Sequence, residues 1–156
     1  MGDELKRTYL VVIDDSAEAR VALRFAARRA AKTNGRIEVL GIVEPQDFVQ
    51  FGGVQAAIEE EQRLRIEGVV SSAVGEILDE SGVEAKIIVQ QGEPVRAVRD
   101  YIGERDEVAA LVLGAAPSGN PGPLVANFCG NDAGRLPCPV MLIPGSLSDE
   151  RLEQLS

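Results

Sequence analysis

Histidine is absent from this 156-residue chain, and so is tryptophan. Without histidine there is no Ser-His-Asp or Cys-His mechanism and no histidine-ligated zinc, so an enzyme here would have to work with carboxylates, lysine or arginine. Aromatic residues make up only 4%, which leaves Val, Ile, Leu and Ala to build the core. Cysteine occurs twice, at Cys129 and Cys138, in no metal-ligating spacing. That pattern suits two reduced thiols in a cytoplasmic protein, and no metal site is expected. No apolar run approaches the roughly 18 residues of a membrane span, and residues 1–10 lack the apolar stretch of a signal peptide. Positive charge is scarce too: 16 basic residues face 25 acidic ones, for a net charge of −9 and a pI near 4.6. Bulk electrostatics therefore oppose nucleic acid and anionic membranes as partners.

What is present is a regular alternation. "YLVVI" (9–13), "RIEVLGIV" (36–43), "VEAKIIVQ" (83–90), "VAALVLG" (108–114) and "CPVMLIPG" (138–145) are short runs rich in β-branched residues, the pattern of strands buried on both faces. Helical periodicity fills the gaps. Asp15 is the expected N-cap of the first helix, with Glu18 in capping-box position and Asn34-Gly35 as the stop. A second helix is expected over residues 55–80 after an irregular loop carrying Phe48 and Phe51. A third starts at Pro94 and a short fourth at Pro123, each proline taking the first helical position, where no N–H is needed. Leu124, Phe128, Ala133 and Leu136 are the fourth helix's candidate core positions.

The expected fold is thus α/β: a single domain over 1–156, with a five-stranded parallel sheet and helices on both faces. Residues 1–8 read as an N-terminal tail and 146–156 as a short polar C-terminal tail, at most one loosely docked turn.

In open α/β sheets, ligands bind outside the carboxyl ends of the strands. Three segments qualify: "IDDS" after the first strand, "VEP" after the second, and the loop within "LVLGAAPSGNPGPLVANFCGN" (111–131) after the fourth. Asp14 is either a loop carboxylate or an acceptor for a ribose hydroxyl or adenine amino group. The loop carries Gly114, Gly119 and Gly122, where convergent backbone N–H groups would hold phosphate. It also carries Pro117, Pro121 and Pro123, which have no N–H, and no Lys or Arg lies between Leu111 and Asn131. No Gly-Lys-Ser/Thr occurs, so it is not a Walker loop.

The stretches "YLVVIDDSAEARVALRFAARRA", "IEVLGIVEP", "IIVQQGEPVRAVRDYI", "VAALVLGA" and "LPCPVMLIP", in that order and spacing, resemble the universal stress protein family from Tyr9 to about Pro144. The resemblance implies a flavodoxin-like or Rossmann-like sheet of the adenine nucleotide alpha hydrolase-like kind, usually dimeric. One branch of that family binds ATP through a glycine, two residues, a glycine, nine residues, then Gly-Ser or Gly-Thr. Here the first glycine falls on Gly114, the second on Pro117, and the final pair on Ala126-Asn127, one residue short. Asp14 and Ser16 match the family's Asp-x-Ser turn, and Val43 the residue that offers its backbone to adenine. Candidate nucleotide-binding residues are therefore Asp14, Ser16, Val43, Gly114, Gly119, Gly122, Ala126 and Asn127, for ATP, ADP or AMP and with no cofactor required.

The fifth strand, Val140, Met141, Leu142 and Ile143, is the expected homodimer contact. The function expected is a non-catalytic stress-response or regulatory binding module with weak adenine-nucleotide affinity. The alternatives are an ATP- or AMP-binding sensor with slow hydrolysis and an unrelated α/β nucleotide-binding enzyme.

Overall fold

A computed structural model of the chain describes residues 7–45 and 52–156. The loop residues Phe48 and Phe51 lie outside these, as does most of the expected N-terminal tail. The strands are β1 (Thr8–Val12), β2 (Arg36–Val43), β3 (Ala85–Gln91), β4 (Val108–Ala115) and β5 (Val140–Pro144). All pairings are parallel, in the order β3-β2-β1-β4-β5. The chain winds outward from β1 to β3, crosses over, and winds the other way from β4 to β5. β1 and β4 therefore flank the point where the winding reverses.

Side chains alternate across the sheet and define two cores. Tyr9, Val11, Ile37, Val39 and Val112 face α1 (Ala17–Thr33) and α2 (Gly52–Ser81). Leu10, Leu40, Leu111 and Leu113 face α3 (Pro94–Gly103), the single-turn α4 (Pro123–Ala126) and Phe128. The alanines of α1, Ala19, Ala22, Ala26, Ala27 and Ala30, let that helix lie close to the strands. Its half-buried arginines meet the acidic side of α2: Arg20 pairs with Glu76 at 2.7 Å and Arg24 with Glu80 at 3.5 Å. On the second face Tyr101 is buried and donates its hydroxyl to Glu38 at 2.7 Å. Burial first, and the Glu38 carboxylate second, push its pKa up to about 12.

Several expectations need correction. Ser16, not Asp15, caps α1: its hydroxyl accepts from the Ala19 N–H at 3.2 Å. The C-terminal residues form α5 (Asp149–Leu155), capped by Ser148 and anchored by Leu152, which is 0% exposed. Ala133 is exposed, because the chain after α4 makes a π-helical turn (Asn127–Asn131) and a 3-10 turn (Ala133–Arg135) and leaves the periodicity of a single helix. The two outer strands are only half covered: Ile87 on β3 is 40% exposed and Leu142 on β5 43%.

Candidate ligand-binding cleft

The carboxyl ends of β1, β2 and β4 open into a cleft of about 390 Å³, the size range of small-molecule sites. Its walls combine apolar side chains, among them Val12, Ile42, Val43, Leu113 and Leu124, with a polar rim. The turn after β1, the end of β2 and the loop before α4 all contribute, as expected for a crevice at the reversal point.

Asp14 and Ser16 build the turn after β1. Asp14 Oδ1 accepts from the Ser16 N–H at 2.9 Å and from the Ser16 hydroxyl at 2.5 Å. The carboxylate thus orders the turn, and Ser16 in turn caps the helix. Asp14 Oδ2 makes no hydrogen bond among the described residues, and Asp14 is an exposed residue at the cleft. Asp15 turns away to form an ion pair with Arg65 of α2, and both residues line the cleft. The two neighbouring aspartates thus have different partners and do not form an acid-base pair.

Val43 is buried at the end of β2, and its carbonyl oxygen already accepts from the Gly92 N–H at 3.0 Å. Its second lone pair remains available to another donor. Gly114 is where the end of β4 touches α1. A Cβ there would lie 2.2 Å from the Glu18 carbonyl oxygen, so this glycine is required by packing whatever the cleft holds. Gly122, at φ +102°, takes a conformation that side-chain-bearing residues rarely adopt. Its N–H is engaged by Asn120 Oδ1 at 3.0 Å.

Asp14, Ser16, Val43, Gly114 and Gly122 therefore share one cleft. Gly119, Ala126 and Asn127 are not among its lining residues. Gly119 and Ala126 are exposed, with the neighbouring Val125 turned inward instead. Asn127 donates through Nδ2 to Asp132 Oδ2 at 2.9 Å. Asp132 is also paired with Arg99 and Arg135. The Asn127 amide first, then the two guanidiniums, hold its carboxyl at about pH 2. Asn127 thus ties the turn after α4 together rather than facing the cleft.

Two polar residues of the rim, Gln62 and Arg65, were not anticipated. They lie on α2, and Arg65 meets Asp15 across 50 positions of sequence. Among the described residues no group of three metal-ligating side chains is close enough to hold a metal ion. No helix among them is long and apolar enough to cross a membrane.

The fold and cleft define a doubly wound α/β domain with a small-molecule crevice at its strand ends. The universal stress protein family model matches residues 6–144, and the chain belongs to that family. Its fold is similar to that of universal stress protein UspA from Lactobacillus plantarum, with a TM-score of 0.73 and 19% identity over 88% of this chain and 97% of that one. It is also similar to the universal stress protein from Archaeoglobus fulgidus in complex with dAMP, with a TM-score of 0.61 and 21% identity over 90% and 99% of the two chains. A universal stress protein family protein from Arabidopsis thaliana with AMP bound gives a TM-score of 0.55 and 16% identity over 92% and 94%. Among curated proteins none matches the chain in sequence.

Proposed function

We propose that this chain is a non-catalytic regulatory module of the stress response, acting in the cytoplasm as a homodimer and binding an adenine-based ligand in the strand-end cleft. The observation that carries this reading is the joint placement of Asp14, Val43 and an apolar wall around about 390 Å³ at the ends of β1, β2 and β4. Two proteins of the same fold are described with dAMP and with AMP bound, which supports an adenine ligand for this one. The apolar wall suits a base, and the Asp14 carboxylate suits ribose hydroxyls. The side chains speak against catalysis: the chain has no histidine, and Asp14 and Asp15 are committed to separate partners.

Mass spectrometry of small molecules released on denaturing the purified protein, followed by calorimetric titration with adenosine, AMP, ADP and ATP, tests the reading. An adenine compound released or bound, with no phosphate liberated from ATP over hours, is the expected result. No binding of any of these at millimolar concentration would remove the adenine ligand. Steady phosphate release abolished by Asp14→Asn would remove the non-catalytic assignment.

A further inference from the structure

The ionisable groups lining the cleft are strongly unbalanced. Asp14, Asp15, Glu18 and Glu44 contribute four carboxylates, and Arg65 is the one cation among the described lining residues. The described lining residues therefore carry a formal charge of −3, within a chain of formal net charge −9. Arg65 is itself already paired with Asp15.

The loop does little to offset this. Pro117, Pro121 and Pro123 have no N–H to give, the Gly122 N–H is taken by Asn120, and no Lys or Arg occurs between Leu111 and Asn131. α4 runs on into a π-helical turn that breaks at Gly130, so only about two turns of aligned peptide dipoles stand behind its first turn. A phosphate entering here would find the N–H groups of Leu124 and Val125, which no side chain caps, but no unpaired cation among the described lining residues, and each added phosphate charge would worsen the repulsion from the carboxylates. A neutral nucleoside meets none of that repulsion and can still use the apolar wall and Asp14.

We propose that the cleft selects an uncharged nucleoside of the adenosine class over its phosphates, and that the Asp15–Arg65 ion pair at its rim enforces the choice by occupying the cation a phosphate would need. This rests on the adenine-ligand reading above and narrows it. Asp15 and Arg65 act here as specificity-determining residues: freeing Arg65 should admit one phosphate group.

Calorimetry with adenosine, AMP and ATP in magnesium-free buffer, at low and high sodium chloride, tests the proposal. Adenosine is expected to bind about tenfold or more tighter than ATP at low salt, with AMP between them. That ratio should shrink as the screening length falls from about 10 Å at 0.1 M to about 3 Å at 1 M salt. Asp15→Asn, which removes a carboxylate and releases Arg65, should raise the AMP-to-adenosine affinity ratio about three- to tenfold. Arg65→Met should lower it. Both side chains are more than half exposed, so neither variant threatens the fold. ATP binding as tightly as adenosine, or a preference indifferent to salt and to Asp15→Asn, would overturn the charge selection and leave the adenine site intact. No binding of any of the three would overturn the adenine reading and this proposal with it.

Discussion

Gly114 stands backbone to backbone against Glu18: a Cβ on the glycine would lie 2.2 Å from the Glu18 carbonyl oxygen and 2.6 Å from its carbonyl carbon. Neither atom can move without shifting the first turn of α1 or the end of β4. Gly114→Ala should therefore destabilise the fold by about 1–3 kcal/mol, as overpacking against rigid neighbours does. Urea melts check this. A variant as stable as the wild type would mean that the glycine serves the ligand rather than the contact between strand and helix.

The turn that precedes α1 divides its work among three adjacent residues. Ser16 caps the helix, Asp14 holds Ser16, and Asp15 reaches Arg65. Ser16→Ala should cost about 1 kcal/mol, the usual value for a lost N-cap. Asp15→Ala should cost under about 0.5 kcal/mol, because its ion pair is solvent-exposed. Asp14→Asn keeps an oxygen for the Ser16 N–H and should change stability by no more than about 0.5 kcal/mol while weakening any adenine-based ligand. Denaturant midpoints ranking Asp15→Ala below Ser16→Ala would show that the capping roles are reversed.

The central strands were legible because strands buried on both faces are written as near-continuous apolar runs, whereas the half-covered β3 shows a mixed polar and apolar run. β2 begins and ends where its run does, and the others differ from theirs by a few residues. The cap was harder to read, since Asp14, Asp15 and Ser16 are all capping types and only backbone geometry decides among them. α5 carries a local signal in Ser148 followed by Asp149 and Glu150, a capping residue and acids suited to a first turn. Arg65 was not legible at all. Nothing local marks it, because its role depends on α2 folding back over the turn after β1. The glycine-rich loop was legible as sequence but not as chemistry. Close packing accounts for Gly114, and an Asn120 side chain consumes the Gly122 N–H.

Asp132 gathers Asn127, Arg99 and Arg135 around one carboxylate, which is held at about pH 2 against an ordinary value of 3.8. A carboxyl depressed in the folded state stabilises the fold fully above its unfolded pKa, and that contribution is lost as pH falls through the folded value. The window here is from about pH 4 down to about pH 2. Asn127→Ser removes the largest contributor, so the difference in stability from wild type should be present at pH 7 and shrink as pH falls through that window. Melts at a series of pH values check this. A constant difference between pH 7 and pH 2 would separate Asn127 from the titration of Asp132.

β5 is the outer strand on its side of the sheet, so one edge of its backbone has no neighbouring strand among the described residues. An apolar edge of this kind tends to pair with another strand unless something covers it, and a second copy related by a two-fold axis would cover both edges at once. The four residues of this strand are not equivalent as probes. Ile143 is buried in the core and Met141 packs against the same cluster, so charge at either would unfold the chain. Val140 packs against the opposite core. Leu142 is 43% exposed and can accept a charge without disturbing the monomer. Leu142→Glu should therefore shift a dimer toward monomer at micromolar concentration, with the thermal midpoint of the monomer little changed. Sedimentation velocity on wild type and variant decides it. A wild type that sediments as a monomer at that concentration, or a variant dimer as tight as the wild type, would place the contact elsewhere.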